Sequence, residues 1–167
     1  MIALDTGFLI YGTQAQRHRQ GDFSRVQQSR VSLAVGVLDE LLADGKTFVI
    51  PAPAAWEYVL DFDVADQPEV WRGFSAISVA PFDVAAARIA SQISRRYSDR
   101  IANSSKAFGN RPAAGVGARQ QMKVDIQIVA IAIAQRAEAI YTLEVEKFSE
   151  WAGGAIRVVG LPMKSSA

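Results

Sequence analysis

The chain has 167 residues, half of them apolar, and a formal net charge of +1. This length fits one domain with a substantial core, and the balanced charge excludes a protein that binds polyanions over its whole surface. The sequence contains no cysteine, which excludes disulfides and thiolate metal sites and suits a reducing compartment. Because the longest apolar run is too short to span a bilayer and no signal peptide is evident, we expect a cytoplasmic protein with no membrane partner.

Short apolar runs alternate with helical patterns in the first half of the chain. Residues 2–4 are apolar and end at Asp5, which predicts a buried strand followed by a turn. Apolar residues recur at helical spacing over 26–42, and the β-branched and aromatic run at 47–50 predicts a second strand. Two prolines then fit the first turn of a helix that contains Glu57.

The second half continues this alternation. A strand is predicted at 76–79, and Asp83 can cap the helix that follows. Residues 98–122 are rich in Ser, Asn, Gly, Ala and Arg, which predicts a loop or a loosely held helix. Two further strands are predicted at 139–143 and 156–159, with a short helix between them.

Residues 124–137 have an ambiguous pattern. Part of this segment alternates like a strand, but apolar residues continue nearly all round, alanine favours helix, and the length exceeds that of a typical strand. We therefore predict a buried helix with Asp125 in its first turn. Strands then alternate with helices throughout, which predicts an α/β fold with a parallel sheet between helices on both faces. We expect a single domain over 1–160 and a flexible tail at 161–167.

Four acids from separate segments are expected at one edge of this sheet: Asp5, Glu57, Asp125 and Glu144. The first and last end predicted strands, and the other two lie on helices that can start from the same rim, where open parallel sheets form their sites. Carboxylates packed together raise one another's pKa and need a counter-charge. An all-oxygen site suits Mg²⁺ or Mn²⁺, which can activate a water and stabilise in-line attack on a phosphodiester.

Each acid also has a structural explanation that needs no ligand. Asp5 can cap a helix, and Glu57 can be an ordinary surface residue. Asp125 can be an acid favoured by the dipole at a helix N-terminus. Glu144 has a rival in Glu146, and either can simply be solvated.

Other catalytic patterns are weaker. His18 is the only histidine and lies in a polar, arginine-rich segment, where a solvated side chain is expected. The pair Gly115 and Gly117 lacks the residues that complete a phosphate-binding loop. A phosphohydrolase of the haloacid-dehalogenase type needs a second Asp two residues after the first, and Gly7 stands there.

The four acids lie in stretches that together resemble one known family. These stretches are residues 3–10, 50–57, 124–130 and 141–144, with Phe148 shortly after the last. In this order and spacing they resemble the motifs of the PIN-domain family, and within it the VapC-like ribonuclease toxins of type II, VapBC-type toxin–antitoxin modules. The match extends over about residues 1–160.

The resemblance implies a PIN-like three-layer α/β/α sandwich with a parallel sheet of about five strands. It also implies a Mg²⁺- or Mn²⁺-dependent endoribonuclease, a homodimer, and a small antitoxin protein whose tail blocks the site. By position it gives metal-site and catalytic roles to Asp5, Glu57, Asp125 and Glu144. Thr142 resembles a hydroxyl that helps to order metal or water, and Thr6 is a further candidate of this kind.

Three positions depart from the family pattern. Gly7 stands where Asn is frequent, Glu144 stands where Asp or Asn is more usual, and Lys147 stands where an acid is common. The longer side chain of Glu144 can replace direct metal contact by contact through water. These departures leave open an alternative, a catalytically weak or inactive PIN-like module that binds RNA or protein.

Residues 88–123 carry eight basic side chains against a single acid. A basic segment that leads directly to Asp125 can hold an RNA backbone against the acidic edge. A solvated helix face is the alternative explanation. RNA is therefore the predicted substrate, without any indication of base readout.

Overall fold

The computed structural model describes residues 1–13, 24–60, 62–74, 77–99 and 112–162. Within these ranges lie five strands: β1 (Ile2–Leu4), β2 (Phe48–Pro51), β3 (Ser78–Ala80), β4 (Ala139–Tyr141) and β5 (Arg157–Val159). The same ranges contain seven helices: α1 (Thr6–Thr13), α2 (Arg25–Ala43), α3 (Ala52–Leu60), α4 (Gln67–Gly73), α5 (Val84–Arg96), α6 (Pro112–Ala134) and α7 (Val145–Ala152).

The strands form one parallel sheet in the order β3-β2-β1-β4-β5. Strand β1 lies at the centre, between β2 and β4. After β1 the chain adds β2 and then β3 on one side of the sheet, and it then adds β4 and β5 on the other side. The position between β1 and β4 is therefore a topological switch point. Because crossovers between parallel strands are almost always right-handed, this strand order puts α1–α4 on one face of the sheet and α5–α7 on the other. This three-layer α/β/α sandwich confirms the predicted fold class.

The core consists of buried strands and the apolar part of α6. Strands β1 and β4 are buried along their whole length, as expected for strands covered on both faces. In α6, residues 128–132 are all buried, so this part of the helix is packed on every side. The prediction of a buried helix here, rather than a strand, is confirmed.

The predicted start of α6 is wrong. Asp125 lies thirteen residues after Pro112 within the helix, and not in its first turn. Of the two alternatives predicted for 98–122, a loop or a loosely held helix, residues 112–122 take the helix. Residues 100–111 lie outside the described ranges. Alanine, glutamine, arginine and lysine in this segment favour helix, and a proline fits the first helical position, so two glycines are not enough to end it.

The sequence predicts that Asp83 caps the helix that follows β3. Asp83 accepts a hydrogen bond from the backbone N–H of Ala86 at 2.9 Å, which confirms its predicted role as the N-cap of α5.

His18 lies outside the described residues, as do residues 163–167 of the predicted tail. Leu161 is partly buried against the core. No helix in the described ranges has both the length and the apolar character needed to cross a membrane.

Candidate active site

The carboxyl ends of the strands border a cleft of about 630 Å³. Its wall is formed by Asp5 at the end of β1, by residues of α1, α2, α3, α6 and α7, and by the connection between β4 and α7. This wall includes all four acids that the sequence singles out: Asp5, Glu57, Asp125 and Glu144. Because they come from four separate segments, only the folded chain brings them to one cleft.

Asp5 follows β1 directly and is buried, with 7% of its surface exposed. Burial raises the pKa of Asp5 from its usual 3.8 to about 7. Hydrogen bonds from the Thr142 hydroxyl and the Thr6 backbone lower this pKa, whereas the charges of Asp125 and Glu144 raise it further. The hydrogen bonds alone therefore do not offset the cost of burying this carboxylate.

Thr142 connects the ends of the central strand β1 and its neighbour β4. It follows β4, is fully buried, and its hydroxyl donates a hydrogen bond to Asp5 Oδ2 at 2.8 Å. The same hydroxyl oxygen accepts a hydrogen bond from the backbone N–H of Glu144 at 3.0 Å. Thr142 thus fixes the orientation of Asp5 and the chain entering α7 together.

Gln121 links two of the four acids. It lies one helical turn before Asp125 on α6, and its amide nitrogen donates to Asp125 Oδ1 at 3.3 Å and to Glu57 Oε1 at 3.4 Å. The hydroxyl of Thr6 donates to the other oxygen of Glu57, Oε2, at 2.6 Å. The sequence analysis does not identify Gln121, because it places this residue before the predicted helix, in a segment predicted as a loop or a loosely held helix. The spacing of four residues from Asp125 is the signal that could have found it.

Lys147 contacts the remaining pair of acids. Its Nζ lies 2.5 Å from Asp125 Oδ2 and 2.6 Å from Glu144 Oε2. Burial raises the pKa of Asp125, and the contact with Lys147 opposes this rise. Burial lowers the pKa of Lys147, but the two carboxylates outweigh burial and hold it above its usual value, so the ammonium stays charged. The sequence identifies Lys147 only as a departure from a family pattern, because its proximity to Asp125 depends on the fold.

The two candidate acids at the start of α7 differ in position. Glu144 lines the cleft that contains Asp5, although 55% of its side chain is exposed. Glu146 is exposed and lines a neighbouring pocket of about 510 Å³, which Glu144 also borders, but it does not line the cleft of Asp5. Glu144 is therefore the one of the two that joins the other acids.

The donor set of the cleft fits a hard divalent cation in part. Asp5, Glu57 and Asp125 offer only oxygen ligands, the type that Mg²⁺ and Mn²⁺ prefer, and burial raises the pKa of Asp5, a cost that a bound cation would offset. In the described part of the chain, no three acidic or histidine side chains already converge on one metal position. Glu144, the fourth acid, is held by Lys147.

Comparison with known proteins supports the fold. No model of a known protein family matches the chain, and no curated protein matches it. Among solved structures, that of VapBC2 from Rickettsia felis bound to a DNA fragment from its promoter superposes with a TM-score of 0.59. The match covers 97% of this chain and 100% of that chain at 16% sequence identity, a level at which the likeness concerns the fold alone. The protein is an α/β protein of PIN-like fold with an acidic cleft at the carboxyl edge of its sheet.

Proposed function

We propose that this protein is a divalent-metal-dependent endoribonuclease and the toxin of a toxin–antitoxin pair. The observation that carries this proposal is the meeting of four acids in one cleft: Asp5, Glu57, Asp125 and Glu144. Such a concentration of carboxylates at the carboxyl edge of a parallel sheet favours a cation and a phosphate-bearing substrate. The likeness to VapBC2 supports the same assignment, and with it a small antitoxin partner.

In this proposal Asp5, Glu57 and Asp125 hold the cation. A bound Mg²⁺ or Mn²⁺ supplies Lewis acidity, which lowers the pKa of a water and stabilises charge at the phosphodiester during in-line attack. The protein positions the ligands: Thr142 orients Asp5, and Gln121 holds the carboxylates of Glu57 and Asp125 towards each other. Such supporting hydrogen bonds orient ligands and tune their basicity.

Basic side chains near the cleft fit an RNA backbone. Arg30 lies on α2 and lines the cleft itself. Lys123 is exposed on α6, two residues before Asp125. Arg95 and Arg96, in the last turn of α5, are exposed but lie away from the cleft, because Arg96 packs against Gly153 at the far end of α7. Phosphate contacts of this kind supply affinity without sequence preference. A homodimer belongs to the same proposal and rests on family resemblance.

A second function is favoured by one specific observation. Because Lys147 pairs with both Asp125 and Glu144 and offsets one of their two negative charges, the cleft can also belong to a PIN-like module that binds RNA or protein without catalysis. The two functions differ in their response to metal. Measurable RNA binding without any shift in melting temperature on adding Mg²⁺ or Mn²⁺ is the result expected for the binding module.

The test of the nuclease is a cleavage assay with the full chain. Mixed RNA is incubated with Mg²⁺, with Mn²⁺ and with EDTA, using wild type, Asp125→Asn and the control Asp39→Asn. Asp39 is an exposed acid on α2 and does not line the cleft, so this control removes one carboxylate elsewhere. We expect metal-stimulated cleavage by wild type and the control, and none by Asp125→Asn. Full cleavage in EDTA, or unchanged cleavage by Asp125→Asn, would contradict the proposal.

A further inference from the structure

Three contacts fix the ammonium of Lys147 at the acidic cleft. Nζ lies within ion-pair distance of both Asp125 and Glu144, and it lies 5.2 Å from the centroid of the Trp151 ring. Lys147 and Trp151 are four residues apart on α7, so the ring packs beside the lysine stem. Trp151 is itself 1% exposed, which makes it a rigid support.

This arrangement differs from an ordinary surface ion pair elsewhere in the chain. Lys46 also contacts a carboxylate at 2.6 Å, but its partner Glu138 has a side chain that is 50% exposed. The side chain of Asp125 is 4% exposed. Removing the cation from a buried carboxylate leaves an uncompensated charge, whereas water readily replaces it at an exposed one. The positive charge of Lys147 is therefore part of the charge balance of the cleft.

We propose that Lys147 takes the place of a second divalent cation, so that the cleft binds one Mg²⁺ or Mn²⁺, on the side of Asp5. This inference rests on the proposed function, since it assumes that the cleft binds such an ion. The ammonium uses one oxygen of Asp125 and the carboxylate of Glu144, and it repels a dication from that corner. Asp5, Glu57 and the other oxygen of Asp125 remain for the metal.

The number of bound ions tests this assignment without reference to catalysis. Free Mn²⁺ is measured by electron paramagnetic resonance during titration of the full chain. The variants are Lys147→Met, which keeps the length of the stem without its charge, and Lys147→Arg, which keeps the charge. Lys46→Met is the matched control, because it removes a lysine from an exposed ion pair outside the cleft.

We expect one Mn²⁺ per chain for wild type, Lys147→Arg and Lys46→Met, and two for Lys147→Met. Two ions on wild type would overturn the inference whether or not any variant folds. A single ion of unchanged affinity on a folded Lys147→Met would also overturn it. In both cases metal-stimulated RNA cleavage by wild type leaves the proposed function standing. If no form binds Mn²⁺ and EDTA does not reduce cleavage, both proposals fall.

Discussion

The hydroxyl of Thr142 donates a hydrogen bond to Asp5 Oδ2 over 2.8 Å, across 137 residues of sequence. Both side chains are buried, and they follow the central strand β1 and its neighbour β4. The bond lies at the topological switch point, where the chain changes its direction across the sheet. It favours the charged form of Asp5 in a place where burial disfavours that form.

Replacing Thr142 by valine removes this donor at nearly constant volume. Because the buried oxygen of Asp5 then loses its donor and the backbone N–H of Glu144 loses its acceptor, we expect the free energy of unfolding to fall by about 1–3 kcal/mol at pH 8. Urea denaturation measures this change. Thr142→Ser keeps the hydroxyl and is the control, for which we expect the smaller loss. Equal losses for the two variants would show that the hydrogen bond has no part in the effect.

The raised pKa of Asp5 predicts a specific pH dependence of the metal-free protein. The folded state binds this proton up to about pH 7, whereas the unfolded chain releases it near 3.8. Between these values the folded state holds more protons, so stability falls as pH rises, by about 1.4 kcal/mol per pH unit for this one group. Below this range Asp5 is protonated in both the folded and the unfolded state, so none of this stability is lost. Above it Asp5 is charged in both states, and the loss of stability is complete.

Asp5→Asn removes this dependence and keeps an oxygen that can accept from Thr142. We expect the variant to gain stability over wild type progressively from pH 4 to pH 7, with a constant difference above. Urea denaturation at four pH values in EDTA measures the difference. Asp39→Asn, an exposed acid, is expected to show no such trend. A difference that does not vary with pH would contradict the assigned pKa.

Gln121 is expected to matter for activity more than for stability. Gln121→Ala frees the carboxylates of Glu57 and Asp125 from their common donor, so we expect the rate of RNA cleavage to fall about 10-fold, as for other supporting groups around a metal. Its neighbour Gln120 is exposed on the same helix, and Gln120→Ala is the matched control. Rates under single-turnover conditions decide the matter, and equal rates for the two variants would exclude a positioning role.

Glu144 is expected to contribute less than the other acids. Its side chain is largely exposed and paired with Lys147, so loss of its charge leaves Asp5, Glu57 and Asp125 in place. We expect Glu144→Gln to lower the cleavage rate by less than about 10-fold, against complete loss for Asp125→Asn. Glu146→Gln, outside the cleft, is expected to match wild type. Complete loss in Glu144→Gln would place this acid among the essential ligands.

Much of the fold is predictable because each short strand carries its own signal. Residues 2–4 and 139–141 are apolar runs bounded by polar residues, and the alternation with helices implies a parallel sheet. The start of α6 is not predictable in this way, because its first half has glycines and few large apolar residues. The start of α6 depends on the packing of this helix against α5. Helix propensity is a property of the local sequence and does not include such packing.

The candidate site is predictable only as far as its acids. Asp5, Glu57 and Asp125 each border an apolar run that fixes their place at one edge of the sheet. Gln121 and Lys147 carry no such signal, since their contacts join α6 to α3 and α7 in space. The sequence alone therefore does not reveal that Lys147 is the counter-charge of Asp125; the folded structure does.

The most direct test of the central claim is the location of Mn²⁺ by anomalous X-ray scattering from crystals of the full chain grown with this ion. We predict one strong peak in the cleft, in contact with the carboxylates of Asp5 and Asp125, with Lys147 still beside Glu144. No peak in the cleft, or a peak only in the neighbouring pocket beside Glu146 and Glu150, would contradict a metal site at Asp5 and Asp125.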